Sequence, residues 1–248
     1  MQKRRGRRIL KRVLWSVAIV LVLAVGGVVA WSQIGVMAAE PGPLATVQEN
    51  PAITVTDADQ GIVLAPADGD SELGFVFIPG AKVDPWAYAA ILQGLAEEGV
   101  TVVITRPWLN LAFFDPRGLD AFTSAAPDVD VWGVGGHSLG GVRACQLASD
   151  ADALVLFGSY CANDLSESGL PVLSLSGSDD GLSTPEKVAD ARDELPADAE
   201  MVEIAGASHA SFGDYGPQAG DGEPTISSEE MHADVTRLVD DFLATLAP

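Results

Sequence analysis

Gly135-Gly136-His137-Ser138-Leu139-Gly140 is the stretch that decides the fold, because it closes an apolar strand and opens a helix. Val131-Trp132-Gly133-Val134 precedes it as a buried strand. Leu139 to Ser149 follows with Val142, Cys145, Leu147 and Ala148 at helical spacing. Gly136-x-Ser138-x-Gly140 therefore lies on a strand-turn-helix junction. A turn that sharp holds Ser138 in a strained backbone conformation and needs residues without a Cβ where strand and helix nearly touch. A serine placed there is a candidate nucleophile.

Working outward, short apolar runs alternate with helical patterns from about Ile53 onward. Strands are expected at Ile53–Val55, Ile62–Ala65, Phe75–Ile78, Val100–Ile104, Val131–Val134, Ala153–Phe157, Val172–Leu175 and Ala199–Ile204. Helices are expected at Pro85–Glu98, Arg117–Ala125, Leu139–Ser149, Thr184–Glu194 and Ser228–Leu246. This alternation implies an α/β domain over 52–248, with a mostly parallel twisted sheet of about eight strands and helices on both faces. Strands such as Val102-Val103-Ile104 are apolar throughout, as a sheet covered on both sides requires. Only Gly158 to Leu170 separates two successive strands after the Ser138 helix, too little for a large cap domain.

The N-terminus obeys different rules. Val13 to Trp31 carries no charge, and as a helix rising about 1.5 Å per residue it spans roughly 28 Å, near the thickness of a bilayer's hydrocarbon core. Trp15 and Trp31 stand near its ends. Lys3, Arg4, Arg5, Arg7, Arg8, Lys11 and Arg12 all precede it. The expectation is a cytoplasmic basic tail at 1–12, a single-pass signal anchor at 13–31 and a catalytic domain outside the cytoplasm. A cleaved signal peptide is the alternative, since Val28-Val29-Ala30 and Val36-Met37-Ala38 resemble cleavage sites, but the apolar run exceeds the roughly 7–15 residues of a signal core. Residues 32–51, with Pro41-Gly42-Pro43, read as a linker lifting the domain off the membrane.

Seven of the 14 Lys and Arg lie in the leader, so the remainder sets seven against all 35 Asp and Glu, a formal charge of −28. With that charge nucleic acid is not expected as a partner, and anionic membrane surfaces are poor partners for the domain. Cys145 falls in the helix behind Ser138 and Cys161 just after the next strand. Export permits a disulfide between them, and two buried thiols are the alternative.

A serine hydroxyl needs a base to take its proton and a carboxylate to orient that base. There are three histidines. His137 adjoins Ser138 and should point elsewhere on the turn; His232 lies in the terminal helical pattern. His209, in the loop after the last strand, is the candidate base. The acid should come from Ser176-Gly177-Ser178-Asp179-Asp180-Gly181, which supplies the order serine, acid, histidine. Spacing leaves Asp179 and Asp180 open. For a tetrahedral oxyanion, the N–H of Leu139 at a helix start and that of Ala81 in Ile78-Pro79-Gly80-Ala81-Lys82 are the candidate donors, with Lys82 in reach of the pocket.

Four motifs now stand in order: Phe77-Ile78-Pro79-Gly80-Ala81-Lys82-Val83-Asp84-Pro85, Arg106-Pro107-Trp108-Leu109-Asn110-Leu111-Ala112-Phe113-Phe114, Gly136-His137-Ser138-Leu139-Gly140-Gly141, and His209-Ala210-Ser211-Phe212-Gly213-Asp214-Tyr215-Gly216-Pro217-Gln218. Together they resemble the alpha/beta-hydrolase fold-5 family over roughly Ile53 to Leu246. The resemblance implies an alpha/beta-hydrolase fold, Ser138 as nucleophile, His209 as base and Asp180 rather than Asp179 as acid. Within these motifs Lys82, Asn110 and Tyr215 are candidates for the pocket wall. The expected activity is hydrolysis of a small-molecule carboxylic ester without cofactor or metal. An acyltransferase or perhydrolase using the same residues, and a silent hydrolase scaffold, are the alternatives. The acids after His209, Asp214, Asp221 and Glu223, lack the regular spacing of a calcium loop and are expected to shape the pocket.

Overall fold

A computed structural model describes residues 2–69 and 71–246. Eight strands, β1 (Ile53–Asp57), β2 (Gly61–Pro66), β3 (Leu73–Ile78), β4 (Val100–Thr105), β5 (Val131–His137), β6 (Ala153–Phe157), β7 (Val172–Gly177) and β8 (Glu200–Ile204), form one sheet in the order β1-β2-β4-β3-β5-β6-β7-β8. The first two strands pair antiparallel, and β2 meets β4 antiparallel; every other pair is parallel. Each strand lies where an apolar run predicts it. β5 runs three residues further, because Gly136 and His137 continue to pair with Leu156 and Phe157.

The helices are α1 (Gln2–Gln33), α2 (Pro41–Gln48), α3 (Ala89–Glu97), α4 (Asp120–Thr123), α5 (Leu139–Leu147), α6 (Pro185–Asp190) and α7 (Ser228–Ala244). Alternation along the central strands sends Phe75 and Phe77 into one core with Leu92 and Leu95 of α3 and Val235 and Val239 of α7. Val76 and Ile78 enter a second core with Phe122 of α4 and Ala144 and Leu147 of α5. Burial on both faces is the reason these strands are apolar at nearly every position. At α7, Ser227 and Glu230 form a reciprocal capping box, each side chain satisfying a free N–H of the first turn.

Every expected helix is shorter than its pattern, with 3-10 turns at Pro85–Tyr88 before α3 and Ala148–Asp150 after α5. Arg117 does not start a helix; its guanidinium folds back onto Asp115, with Nε at 2.9 Å from Oδ1 and Nη2 at 2.6 Å from Oδ2. The helix expected to Glu194 breaks at Ala191, and a separate 3-10 turn covers Arg192–Glu194. Between β6 and β7 there is no cap domain among the described residues.

The linker is corrected more deeply. Pro41 sits in the first turn of α2, where its fixed φ favours a helix start, and Val47 of that helix is fully buried. Upstream, Met37 N–H donates to Lys82 O at 2.7 Å, Asp84 N–H to Met37 O at 2.8 Å, and Glu40 N–H to Asp214 O at 2.8 Å. Residues 37–48 are thus part of the domain rather than a spacer. Proline and glycine read as a free tether, but here they set the entry of a helix. Cys145 on α5 and Cys161 after β6 form a disulfide, Cα–Cα 5.6 Å. From Lys11 to Gln33, α1 is long and apolar enough to cross a membrane, and its apolar side chains are exposed.

Candidate active site

Ser138 follows β5 directly, at the N-cap of α5, with φ 52° and ψ −121°, one of four non-glycine residues with positive φ among the described residues. The turn is possible only because its neighbours lack side chains. A Cβ on Gly140 would stand 2.0 Å from Ile78 O, and one on Gly136 would stand 2.5 Å from the Gly140 carbonyl carbon. β5 and α5 therefore close tightly against the end of β3. Ser159 Oγ–H donates to Ser138 O at 2.7 Å and fixes the turn from the other side.

The loop after β7 carries the two aspartates, and they face apart. Asp180, 3% exposed, places Oδ2 at 2.8 Å from His209 Nδ1, while its Oδ1 accepts the N–H groups of Leu182 and Ser183 at 2.8 and 2.7 Å. Asp179 turns outward, its Oδ2 accepting from Thr225 Oγ1 at 3.3 Å. With Nδ1–H engaged by a carboxylate, the lone pair of His209 lies on Nε2, the arrangement a general base requires. His209 itself is buried on the turn after β8, and its ring centroid lies 4.4 Å from that of His137, the residue before Ser138, the two planes tilted by 46°. Serine, aspartate and histidine are thus gathered at the carboxyl ends of β5, β7 and β8. Neither Ser138 Oγ nor His209 Nε2 makes a hydrogen bond to another described residue.

His137 does not point away from the site as its place beside Ser138 suggests. It is 1% exposed, and its Nδ1 lies 2.9 Å from Tyr88 Oη, which accepts the Gly80 N–H at 3.0 Å. The Tyr88 hydroxyl thus accepts from Gly80 and shares a hydrogen bond with His137 Nδ1. Burial raises the Tyr88 pKa, with the Gly80 bond pulling the other way, so the phenol stays protonated. Burial, and next the facing His209, hold the His137 pKa well below its usual value, with the His209 backbone partly offsetting this. A neutral His137 adds no charge beside the base. Gly80 belongs to the loop that carries Ala81, so this chain of contacts links that loop to the nucleophile turn.

The N–H groups of Ala81 and Leu139 donate to no group among the described residues. Of the wall candidates, Lys82 and Asn110 reach the end of α1. Lys82 Nζ donates to Trp31 O at 3.0 Å and Ile34 O at 3.2 Å and sits 3.7 Å over the Trp31 ring. Asn110 Nδ2–H donates to Ser32 O at 3.2 Å. Both serve the carbonyls at the end of α1, where a cation and donors are favoured. Tyr215 does stand beside the cluster, 6.2 Å from the His137 ring, and its hydroxyl donates to Gln218 Oε1 at 3.1 Å. Burial, then Tyr88, Asp221 and Asp180, push its pKa upward, so it too stays protonated.

Asp221, expected only as one of the acids shaping the pocket, braces the base. Its Oδ1 accepts N–H groups from Gly181, His209 and Gly222 at 3.1, 3.0 and 2.8 Å, and its Oδ2 accepts that of Ala210 at 2.8 Å. Only a carboxylate eleven or more residues away, bonded to backbone, marks this role, and no sequence pattern signals it. His232, the third histidine, pairs through Nε2 with Asp214 Oδ1 at 3.1 Å, away from Ser138. A cavity of about 440 Å³ lies behind the His209 turn, walled by Glu40, Asp214, Asp221 and Met231; neither Ser138 nor Asp180 lines it.

No curated protein sequence matches the chain. The model of the alpha/beta hydrolase family matches residues 74–233, from β3 through the start of α7, and so takes in the elbow, both candidate partners and the loop after β3. With an eight-stranded, mostly parallel sheet and no large cap, the chain belongs to the alpha/beta hydrolase family, and its fold implies a small-molecule substrate.

Proposed function

We propose that this chain is a membrane-anchored serine hydrolase that cleaves carboxylic esters outside the cytoplasm through an acyl-enzyme on Ser138. The observation that carries this reading is the buried 2.8 Å contact between Asp180 Oδ2 and His209 Nδ1, set against a serine at φ 52° on a strand-to-helix turn. Ser138 Oγ attacks the acyl carbon and gives its proton to His209 Nε2. The carbonyl oxygen, now an anion, takes the N–H groups of Leu139 and Ala81, the first strengthened by the start of α5. Collapse expels the alcohol, which leaves with the proton from His209. Water then repeats the sequence on the acyl-enzyme, releasing the acid and restoring Ser138.

The address belongs to the same proposal. A basic tail at 1–12 followed by the uncharged run 13–31 supports a single pass with the N-terminus inside, and the Cys145–Cys161 disulfide suits an oxidising compartment. The test is a fluorophosphonate probe on the purified full-length chain. Covalent labelling that disappears in Ser138→Ala is expected, and no labelling of the wild type would reject the reading.

A further inference from the structure

Outside α1 and the residues that follow it directly, four large apolar side chains stand exposed among the described residues, and three of them, Trp108 (57%), Phe113 (56%) and Phe114 (51%), lie in one loop after β4. Scattered exposed hydrophobics need no explanation; a cluster of aromatics in a domain this acidic does. Its position supplies one. The 3-10 turn Trp108–Asn110 packs against α1, and Asn110 bonds to Ser32 O at the end of that helix. The next turn, Ala112–Phe114, packs against α5, the helix that begins at Ser138. The aromatic loop therefore bridges the end of the apolar helix and the nucleophile helix.

The loop after β3 is tied into the same joint. Lys82 N–H donates to Asn110 O at 2.8 Å, while Lys82 Nζ holds the carbonyls of Trp31 and Ile34. Lys82, Leu109 and Asn110 all have positive φ, so three of the four strained non-glycine residues sit at this joint and the fourth is Ser138. Such strain persists only where surrounding contacts fix it. Charge changes here as well. Between Gly99 and Leu119 the only acid is Asp115, against Arg106 and Arg117, although the chain beyond the leader carries 35 acids. Arg106 is paired with Asp57 and Arg117 with Asp115, so the rim of the patch is close to neutral, and an exposed aromatic surface continuous with the exit of a helix long enough to span a bilayer matches the boundary between headgroups and acyl chains.

We propose that Trp108, Phe113 and Phe114 seat the domain in the bilayer interface, and that Ser138 takes its acyl ester from the membrane surface rather than from bulk solution. This rests on the reading of Ser138 as a hydrolase nucleophile and α1 as an anchor, and it names the substrate class: esters of amphiphilic alcohols presented at the lipid boundary.

The full-length chain in phosphatidylcholine vesicles provides the test, using two butyryl esters, one of a water-soluble alcohol and one of a long-chain alcohol held in the bilayer. The ratio of bilayer-ester to soluble-ester turnover is expected to fall at least about tenfold in the Trp108→Ser, Phe113→Ser, Phe114→Ser variant. An unchanged ratio overturns the proposal. A second measurement needs no turnover: vesicles of brominated phosphatidylcholine should quench a component of the fluorescence that is lost in Trp108→Phe. If that component is unquenched, the loop is not in the interface and the proposal fails, including the case in which the patch seats another protein. Should Ser138 take no fluorophosphonate and neither ester be cleaved, the hydrolase reading fails and with it the substrate assignment, while quenching still decides the membrane seat.

Discussion

Asp221 Oδ1 accepts the backbone N–H of Gly181 at 3.1 Å and that of His209 at 3.0 Å, so one carboxylate oxygen clamps the residue after the candidate acid to the candidate base. The Asp180–His209 distance is thereby set by backbone as well as by the side chains themselves. Burial raises the Asp221 pKa, but the N–H groups of Ala210, Gly181, His209 and Gly222 together outweigh it and hold the carboxyl below its usual value. Because the folded pKa is the lower one, this clamp contributes stability in full above the unfolded value of about 3.9 and loses it as pH falls through the folded pKa. Asp221→Asn keeps one acceptor oxygen and loses the other with the charge. The variant is expected to be less stable than wild type at neutral pH, with the gap closing as both are acidified below about pH 4, in urea unfolding followed across pH. A gap that stays constant with pH would show the carboxylate's charge to be irrelevant.

Asp180 and Asp179 provide an internal control, being adjacent, alike and turned to different partners. Asp180→Asn leaves an amide facing His209 Nδ1 and favours the wrong tautomer of the base. Turnover is expected to drop by on the order of 10⁴, as when a triad carboxylate is made an amide. Asp179→Asn disturbs only the contacts with Thr225 at 3.3 Å and Ser178 at 3.4 Å, and kcat/KM should stay within about twofold of wild type, the range typical of surface changes. Steady-state kinetics on one ester distinguishes the two, and equal losses would place the acid elsewhere.

The disulfide joins α5 to the segment after β6, closing a chain separation of 16 residues. A loop of that size restricts the unfolded chain by about 3 kcal/mol. Replacing both cysteines, Cys145→Ser with Cys161→Ser, should lower unfolding stability by about 2–4 kcal/mol, measured by denaturant titration of the full-length chain in detergent. Because Cys145 lies on the nucleophile helix, the loss should also appear as faster proteolysis around α5. An unchanged midpoint would mean that the cross-link leaves the unfolded ensemble unrestricted.

Much of this architecture is legible in the sequence because its determinants are local. Val102-Val103-Ile104 suits a doubly covered strand, and Gly136 and Gly140 mark the elbow because a Cβ at either place would strike backbone. Signals fail where a residue serves a distant partner. Lys82 and Asn110 read as pocket residues from their motifs, yet they bond to Ser32, Trp31 and Ile34, some 48 to 78 positions away. Pro41-Gly42-Pro43 reads as a tether because its composition is that of a loop, whereas the burial of Val47 that holds α2 down is a tertiary fact. Asp221 is silent for a related reason. It is recognised by four backbone N–H groups, and backbone donors leave no trace in residue identity.

Tyr88 poses the remaining question of how the donor loop is held. Its hydroxyl accepts the Gly80 N–H at 3.0 Å and stands 2.9 Å from His137 Nδ1, so it joins the residue before Ala81 to the residue before Ser138. In Tyr88→Phe the ring and its packing against Phe77 remain, while a buried N–H and a buried ring nitrogen lose their partners at once. The Gly80–Ala81 peptide is then free to rotate away from the forming oxyanion. Loss of a whole oxyanion donor costs about 10²–10³ in kcat, and a loosened one should cost less, about tenfold, with KM changed by under about threefold. Affinity for a boronic acid that mimics the tetrahedral state should weaken in parallel with kcat, while affinity for the product acid stays constant. If Tyr88 were only a core residue, the variant would lose stability and leave both the kcat and the boronate affinity of the folded fraction untouched.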